Sequence, residues 1–145
     1  MNTLSLEEFS NNSFFWGSAN SNQKVLFGEG ISSTVGEHAK ALGKHAFLVS
    51  DPGIHEAGHV DRIKNLIQGT GVQVTVFNQS IENPTESSVA LCASIAKEAK
   101  VDLIVGLGGG SSMDTAKGCN FLLSNGGKME DYWGVGKAEQ PMLPL

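Results

Sequence analysis

The stretch VDLIVGLGGGSSMDTAK, residues 101–117, decides the fold class of this chain. An apolar run ends in three consecutive glycines, and two serines and a helix-forming segment follow them. A strand, a glycine-rich turn and a helix in this order direct free backbone N–H groups and the positive end of the helix dipole at one point. That point attracts a phosphate group, which the missing side chains allow to come close. We expect Gly108, Gly109 and Gly110 to form the turn, with Ser111 as the helix cap.

A simpler interpretation of the same stretch is a tight turn followed by a capping box. Ser111 and Asp114 have the spacing of that motif, in which side chains satisfy the first free N–H groups of a helix. Such a turn needs at most one glycine, so three in a row favour a bound phosphate. The stretch also departs from the ordinary G-x-G-x-x-G dinucleotide fingerprint, because Ser111 replaces the third glycine and the turn follows the fourth predicted strand.

The rest of the chain alternates between short β-type runs and segments with apolar residues at helical spacing. Strands are predicted in KVLF, HAFLV, VQVTVF and VDLIVG, and a helix is predicted after each of them. This order is typical of an open, mostly parallel α/β sheet with helices on both faces, a Rossmann-like architecture. Ligands of such sheets bind beyond the carboxyl ends of the strands. We therefore expect Asp51 and Asn83, which follow the second and third strands, to join the glycine turn at one site.

The composition limits the classes of function. With 145 residues, of which 40% are hydrophobic and 17% charged, the chain matches a single globular domain. Its formal net charge of −5 disfavours nucleic acid and anionic membranes as partners, because both need clustered Lys and Arg. No apolar run approaches the roughly 20 residues that span a bilayer, and no secretory signal is recognisable. Cys92 and Cys119 both lie in predicted helices and are interpreted as reduced thiols, so we expect a cytoplasmic protein.

The segment HEAGH matches the H-E-x-x-H motif of zinc proteases through His55 and His59. We interpret this match as accidental, because Gly58 weakens the helix that the motif requires and no later histidine can be the third ligand. We predict neither catalytic residues nor metal ligands in this chain.

The segment GGGSSMDTAK resembles the GGGSxxDxAK signature of the iron-dependent (group III) alcohol dehydrogenases. The similarity extends to FGEG, FLVSDPG, NPT and DYWG in the family's order, and it covers the chain from about residue 24 to its end. The resemblance implies that residues 1–145 are the NAD-binding α/β domain of an oxidoreductase that interconverts alcohols and aldehydes or ketones. One alternative is a member of the dehydroquinate synthase or glycerol dehydrogenase type, which shares the fold but matches the serine-rich loop less well.

The resemblance assigns cofactor contacts by position to Asp51, Asn83, Gly109, Gly110, Ser111 and Asp114. The glycines and Ser111 would contact the pyrophosphate, and Asp51 would bind the hydroxyls of the adenosine ribose. Asn83 would contact the same half of the cofactor, and Asp114 would lie by the phosphates or the nicotinamide ribose. A carboxylate at Asp51 would repel the 2′-phosphate of NADP, so we expect NAD. The other interpretation of Asp51 is a residue that starts the turn before Pro52 and Gly53.

The family's divalent metal, Fe or Zn, is bound by an Asp and three His of a helical C-terminal domain. We expect the chain to be an N-terminal fragment without that domain, and to be inactive alone. The resemblance also implies a homodimer, in which the aromatic lead-in (residues 1–23, with SFFWG) packs on the core or exchanges between subunits. The alternative from another class is a stand-alone nucleotide-binding or dimerisation module without catalysis.

Overall fold

The computed structural model describes residues 14–16, by their backbone alone, and residues 25–145. Its strands are β1 (Phe14–Trp16), β2 (Val25–Phe27), β3 (His45–Val49), β4 (Gln73–Phe77) and β5 (Leu103–Gly106). Its α-helices are α1 (Val35–Leu42), α2 (Pro52–Glu56), α3 (His59–Gln68), α4 (Glu86–Ala99) and α5 (Gly110–Asn125). Short 3-10 helices occupy Ile31–Thr34 and Met129–Tyr132.

The central sheet has three parallel strands in the order β4-β3-β5. The middle strand is buried on both sides, since Ala46, Phe47, Leu48 and Val49 each have 0% of their surface exposed. Side chains alternate across a strand, so Phe47 and Val49 face one side while Ala46 and Leu48 face the other. A continuous apolar run such as HAFLV is what a strand covered on both faces requires.

Helices cover both faces of this sheet, as the sequence predicts. One face packs against residues of α1 and α3, including Ala39, Val60 and Ile63. The other face packs against α4 and α5, where the buried thiols of Cys92 and Cys119 lie. Both cysteines are free, which confirms the predicted reduced state. Hydrogen bonding to Cys119, together with burial, raises the pKa of the Cys92 thiol, so this sulfur stays protonated within the core.

The predicted strand in KVLF forms, but it lies outside the parallel sheet. Residues of β2 pair antiparallel with β1 in a separate two-stranded sheet. The reason is local, because a short strand preceded by another β-type run can pair without a crossover helix, whereas parallel pairing needs one. The other lead-in residues, 1–13 and 17–24, and the proposed exchange between subunits lie outside the described residues.

The two histidines of HEAGH belong to different helices. Helix α2 ends at Glu56, Gly58 adopts a left-handed φ of 81°, and α3 begins at His59. The arrangement of two histidines at i and i+4 on one helix, which the zinc motif needs, is therefore missing. Within the described residues, no helix combines the length and the apolar character that crossing a bilayer requires.

Asp102 is expected to make stability depend on acid pH. Its carboxylate accepts hydrogen bonds from the backbone N–H groups of His45 (2.8 Å) and Lys44 (2.9 Å), which tie the start of β3 to that of β5. Burial acts to raise the pKa of this carboxyl, but the backbone donors outweigh it and hold the pKa below its ordinary value.

Because the pKa of Asp102 is lower in the folded state than in the unfolded state, its carboxylate stabilises the fold at pH values above the unfolded-state pKa of about 3.9. This stabilisation is lost as the pH falls through the folded-state pKa. Asp102→Asn should therefore cost about 1 kcal/mol at pH 7, after allowance for solvent screening. Urea unfolding at a series of pH values measures the difference, which should shrink below pH 4 or so. A difference that is the same at every pH would contradict the role of the charge.

Candidate functional site

Ser50 brings the carboxyl ends of the three parallel strands together. Its N–H donates to the carbonyl of Phe77 (2.7 Å) at the end of β4, and its Oγ donates to the carbonyl of Leu107 (2.7 Å) just after β5. The N–H of Ser80 in turn donates to the carbonyl of Ser50 (3.0 Å). These bonds place the residues that follow each strand, including Asp51 and the glycine turn, at one edge of the sheet.

The three glycines of the turn differ in why they lack a side chain. Gly108 has a φ of 136°, which disfavours other residues, and a Cβ there would lie 2.8 Å from Ser112 Oγ and 3.0 Å from Asp51 Oδ2. Gly109 has ordinary extended backbone angles, and Gly110 is helical. A Cβ on either of them would meet no described atom within 4 Å outside its immediate neighbours. The fold therefore does not require glycine at these two positions, and the missing side chains leave the space in front of them open.

Helix α5 begins without a side-chain cap. Its N-cap is Gly109, no side chain bonds to its first N–H groups, and the first helical bond runs from Met113 N–H to the Gly109 carbonyl (3.1 Å). The prediction that Ser111 caps this helix is wrong, and so is the alternative of a capping box with Asp114, because the helix starts earlier and Ser111 lies within its first turn. By contrast, Thr85 caps α4, since its Oγ1 accepts a hydrogen bond from Ser88 N–H while its own N–H donates to Ser88 Oγ. The N–H groups at the start of α5 are left for a ligand.

Asp51 stabilises the fold and also lines the candidate site. Its Oδ1 accepts a hydrogen bond from Ile54 N–H (3.0 Å) and so caps α2, while its Oδ2 accepts one from Ser112 Oγ (2.9 Å). The turn-starting role that the Asp-Pro-Gly sequence suggests is therefore present. Each carboxylate oxygen can accept more than one bond, so both retain capacity for a further donor. The bond to Ser112 joins Asp51 directly to the first turn of α5.

A cavity of about 320 Å³ lies between these elements, and its size suits part of a ligand. Its lining combines the residue after β3, the segment after β4 and the start of α5: Asp51, Pro52, Ser80, Glu82, Gly109, Gly110 and Ser111. The positive end of α5 and two carboxylates thus border the same space. Such a site suits a ligand that carries both a phosphate and hydroxyl donors.

The structure brings together four of the predicted cofactor-binding residues, namely Asp51, Gly109, Gly110 and Ser111. Asn83 and Asp114 are exposed and are not among the cavity-lining residues. Asn83 adopts a left-handed φ of 52°, which asparagine tolerates better than most residues, and it directly follows Glu82. The cofactor contacts of Asn83 and Asp114 stay predictions.

Sequence reasoning missed three residues of this site: Ser112, Ser80 and Glu82. Ser112 was not predicted as a site residue because Ser111 was expected to cap the helix. Ser80 and Glu82 follow β4 within five residues, so the rule that ligands bind beyond strand ends could have found them.

The described part of the chain offers no ligand set for the divalent metal, Fe or Zn, of the family that the sequence resembles. Across residues 25–145, no three or more side chains of His, Cys, Asp or Glu gather in a way that could hold a metal ion. No reaction step is therefore assigned to a metal held by these residues.

Comparisons with known proteins agree with this geometry. The sequence model of the family described as iron-containing alcohol dehydrogenase matches residues 22–145. Alcohol dehydrogenase 4 of Schizosaccharomyces pombe is 39% identical over 121 residues, which are 83% of this chain and 29% of that protein. The NAD-dependent methanol dehydrogenase of Bacillus methanolicus is 33% identical over 83% of this chain and 32% of its own length.

A crystal structure of 1,3-propanediol oxidoreductase superposes with a TM-score of 0.77 at 32% identity, over 81% of this chain and 31% of that one. The chain thus spans about a third of the length of the relatives that it matches. The family match extends over most of the chain and includes the whole parallel sheet and its glycine turn. The chain therefore belongs to the iron-containing alcohol dehydrogenase family.

Proposed function

We propose that this chain supplies the NAD-binding part of an alcohol dehydrogenase that interconverts an alcohol and an aldehyde or ketone. The observation that carries the proposal is the uncapped start of α5, which opens onto the same cavity as the Asp51 carboxylate. A dinucleotide has the matching chemistry, because its pyrophosphate is anionic and its ribose hydroxyls donate hydrogen bonds. Bound NAD supplies the hydride acceptor for alcohol oxidation.

Backbone groups and side chains at the site each have a defined role in holding this cofactor. The N–H groups of Gly110 and Ser111 bind the pyrophosphate, and Gly109 leaves room for it. Asp51 accepts hydrogen bonds from the ribose hydroxyls, while its bond with Ser112 holds the carboxylate beside the pyrophosphate site. Together these contacts orient the adenosine half of NAD across the carboxyl edge of the sheet.

The charges around the cavity favour NAD over NADP. Asp51 and Glu82 both line it, and a 2′-phosphate on the ribose would lie near both carboxylates. The family also includes the methanol dehydrogenase of Bacillus methanolicus, whose name states NAD dependence. The alcohol substrate and the homodimer expected from the resemblance are further parts of this proposal, and light scattering of the purified chain measures the second.

Isothermal titration of the 145-residue chain with NAD and with ADP-ribose tests the proposal. We expect saturable binding of both, because the proposed contacts involve only the adenosine ribose and the pyrophosphate, which both compounds contain. Binding of neither compound at millimolar concentration would overturn the proposal. We also expect no NADH formation from NAD and primary alcohols by this chain with added Fe²⁺ or Zn²⁺, since its described residues form no metal cluster. Metal-dependent turnover would instead place the active site within this chain.

A further inference from the structure

Ser80 is buried beside the candidate cofactor site and is anchored there by a backbone hydrogen bond. It lies three residues after the end of β4, and its N–H donates to the carbonyl of Ser50 (3.0 Å), the residue before Asp51. Only 3% of its surface is exposed, yet it lines the cavity together with Asp51 and the start of α5. The backbone bond therefore fixes Ser80 next to the carboxylate that is proposed to bind ribose.

The hydroxyl of Ser80 differs from the other buried hydroxyls at this edge of the sheet. Ser50 Oγ donates to Leu107, Ser112 Oγ donates to Asp51, and Thr115 Oγ1 donates to Ser111. Ser80 Oγ has no hydrogen-bond partner among the residues that the structure describes. A buried hydroxyl without a partner destabilises a protein, so such a group usually marks a position where something else supplies the bond.

We propose that Ser80 is a further cofactor-binding residue, whose hydroxyl donates a hydrogen bond to a hydroxyl of the ribose that Asp51 binds. This inference rests on the proposed function. A ribose hydroxyl that donates to a carboxylate keeps lone pairs that accept a second bond, and a serine hydroxyl is a suitable donor. To reach that hydroxyl, the buried Oγ must adopt a χ1 rotamer that faces the cavity Ser80 lines. Asp51 and Ser80 then bind the same diol, one as acceptor and the other as donor.

Ser80→Ala separates this role from a structural one. We expect the variant to bind ADP about 5- to 10-fold more weakly than the unsubstituted chain, which is the usual effect of losing one hydrogen bond. We expect its thermal stability without ligand to be unchanged or higher, because the substitution removes a buried unpartnered hydroxyl. Ser94→Ala is the matched control, since its exposed hydroxyl bonds to Leu91 on α4, away from the cavity.

Deoxyribose analogues identify the atom that Ser80 contacts. Titrations of both chains with ADP, 2′-deoxy-ADP and 3′-deoxy-ADP should show that the effect of Ser80→Ala disappears for one of the two deoxy compounds. Equal ADP affinity with and without the substitution, or an equal loss of affinity for all three compounds, would overturn the inference. In that case, NAD binding by the unsubstituted chain would still support the proposed function. Failure of the unsubstituted chain to bind NAD or ADP would overturn both.

Discussion

Gly109→Val is expected to abolish NAD binding, with an affinity at least about 100-fold lower than that of the unsubstituted chain. The valine side chain would fill the space in which the pyrophosphate meets the first N–H groups of α5. Each hydrogen bond to a charged group contributes about 1.5–3 kcal/mol, so loss of two such bonds accounts for this effect. Isothermal titration with NAD measures it.

The fold should survive this substitution, which makes the result specific to the ligand. The backbone angles of Gly109 are open to any residue, and a Cβ there meets no described atom within 4 Å outside its neighbours. Circular dichroism should therefore show unchanged helix content. Gly110→Val should act in the same way, and Gly109→Ala should weaken binding less because alanine is smaller. Unchanged NAD affinity in a folded Gly109→Val variant would mean that the glycines serve the turn alone.

Gly108→Ala provides the contrast within the same turn. A side chain at this position would be strained by the φ of 136° and would crowd Ser112 and Asp51. We expect this variant to lose thermal stability, which the Gly109 variants should keep. A Gly108 variant as stable as the unsubstituted chain would contradict the distinction between the two glycines.

Asp51→Asn is expected to reduce the preference for NAD over NADP. A 2′-phosphate beside a carboxylate costs about 1–3 kcal/mol at partial solvent screening, which corresponds to a preference of roughly 5- to 150-fold in the unsubstituted chain. Asparagine is as good an N-cap as aspartate, so the bond to Ile54 N–H and the start of α2 should be kept. Dissociation constants of both cofactors, measured for both chains, give the ratio.

Two further variants define the contribution of each carboxylate. Asp51→Gly also removes the charge but loses the bond to Ile54, so it should weaken the fold as well as the preference. Glu82 lines the same cavity, and we expect Glu82→Gln added to Asp51→Asn to lower the remaining preference further. Equal affinity of the unsubstituted chain for NAD and NADP, or an unchanged ratio in Asp51→Asn, would rule out the proposed role of the charge.

The order of strands and helices was predictable from the sequence because it depends on local patterns. HAFLV is a mostly apolar run and VQVTVF is rich in β-branched residues, and the structure places them as neighbouring parallel strands. Three consecutive glycines at a strand end identified the position of the turn. In each case the deciding interactions lie within a few residues along the chain.

Tertiary structure decided which residues meet at the site. The bonds of Ser50 to Phe77 and Leu107 join segments far apart in sequence, and no local pattern specifies them. Ser112 turned out to bond to Asp51 because α5 begins before Ser111, a shift of register that propensity alone does not resolve. The unpartnered hydroxyl of Ser80 likewise becomes visible only when its surroundings are known. The sequence alone thus determined the sheet, its helices and the glycine turn, whereas long-range hydrogen bonds decided the composition of the site, because their partners are set by packing rather than by neighbours in the chain.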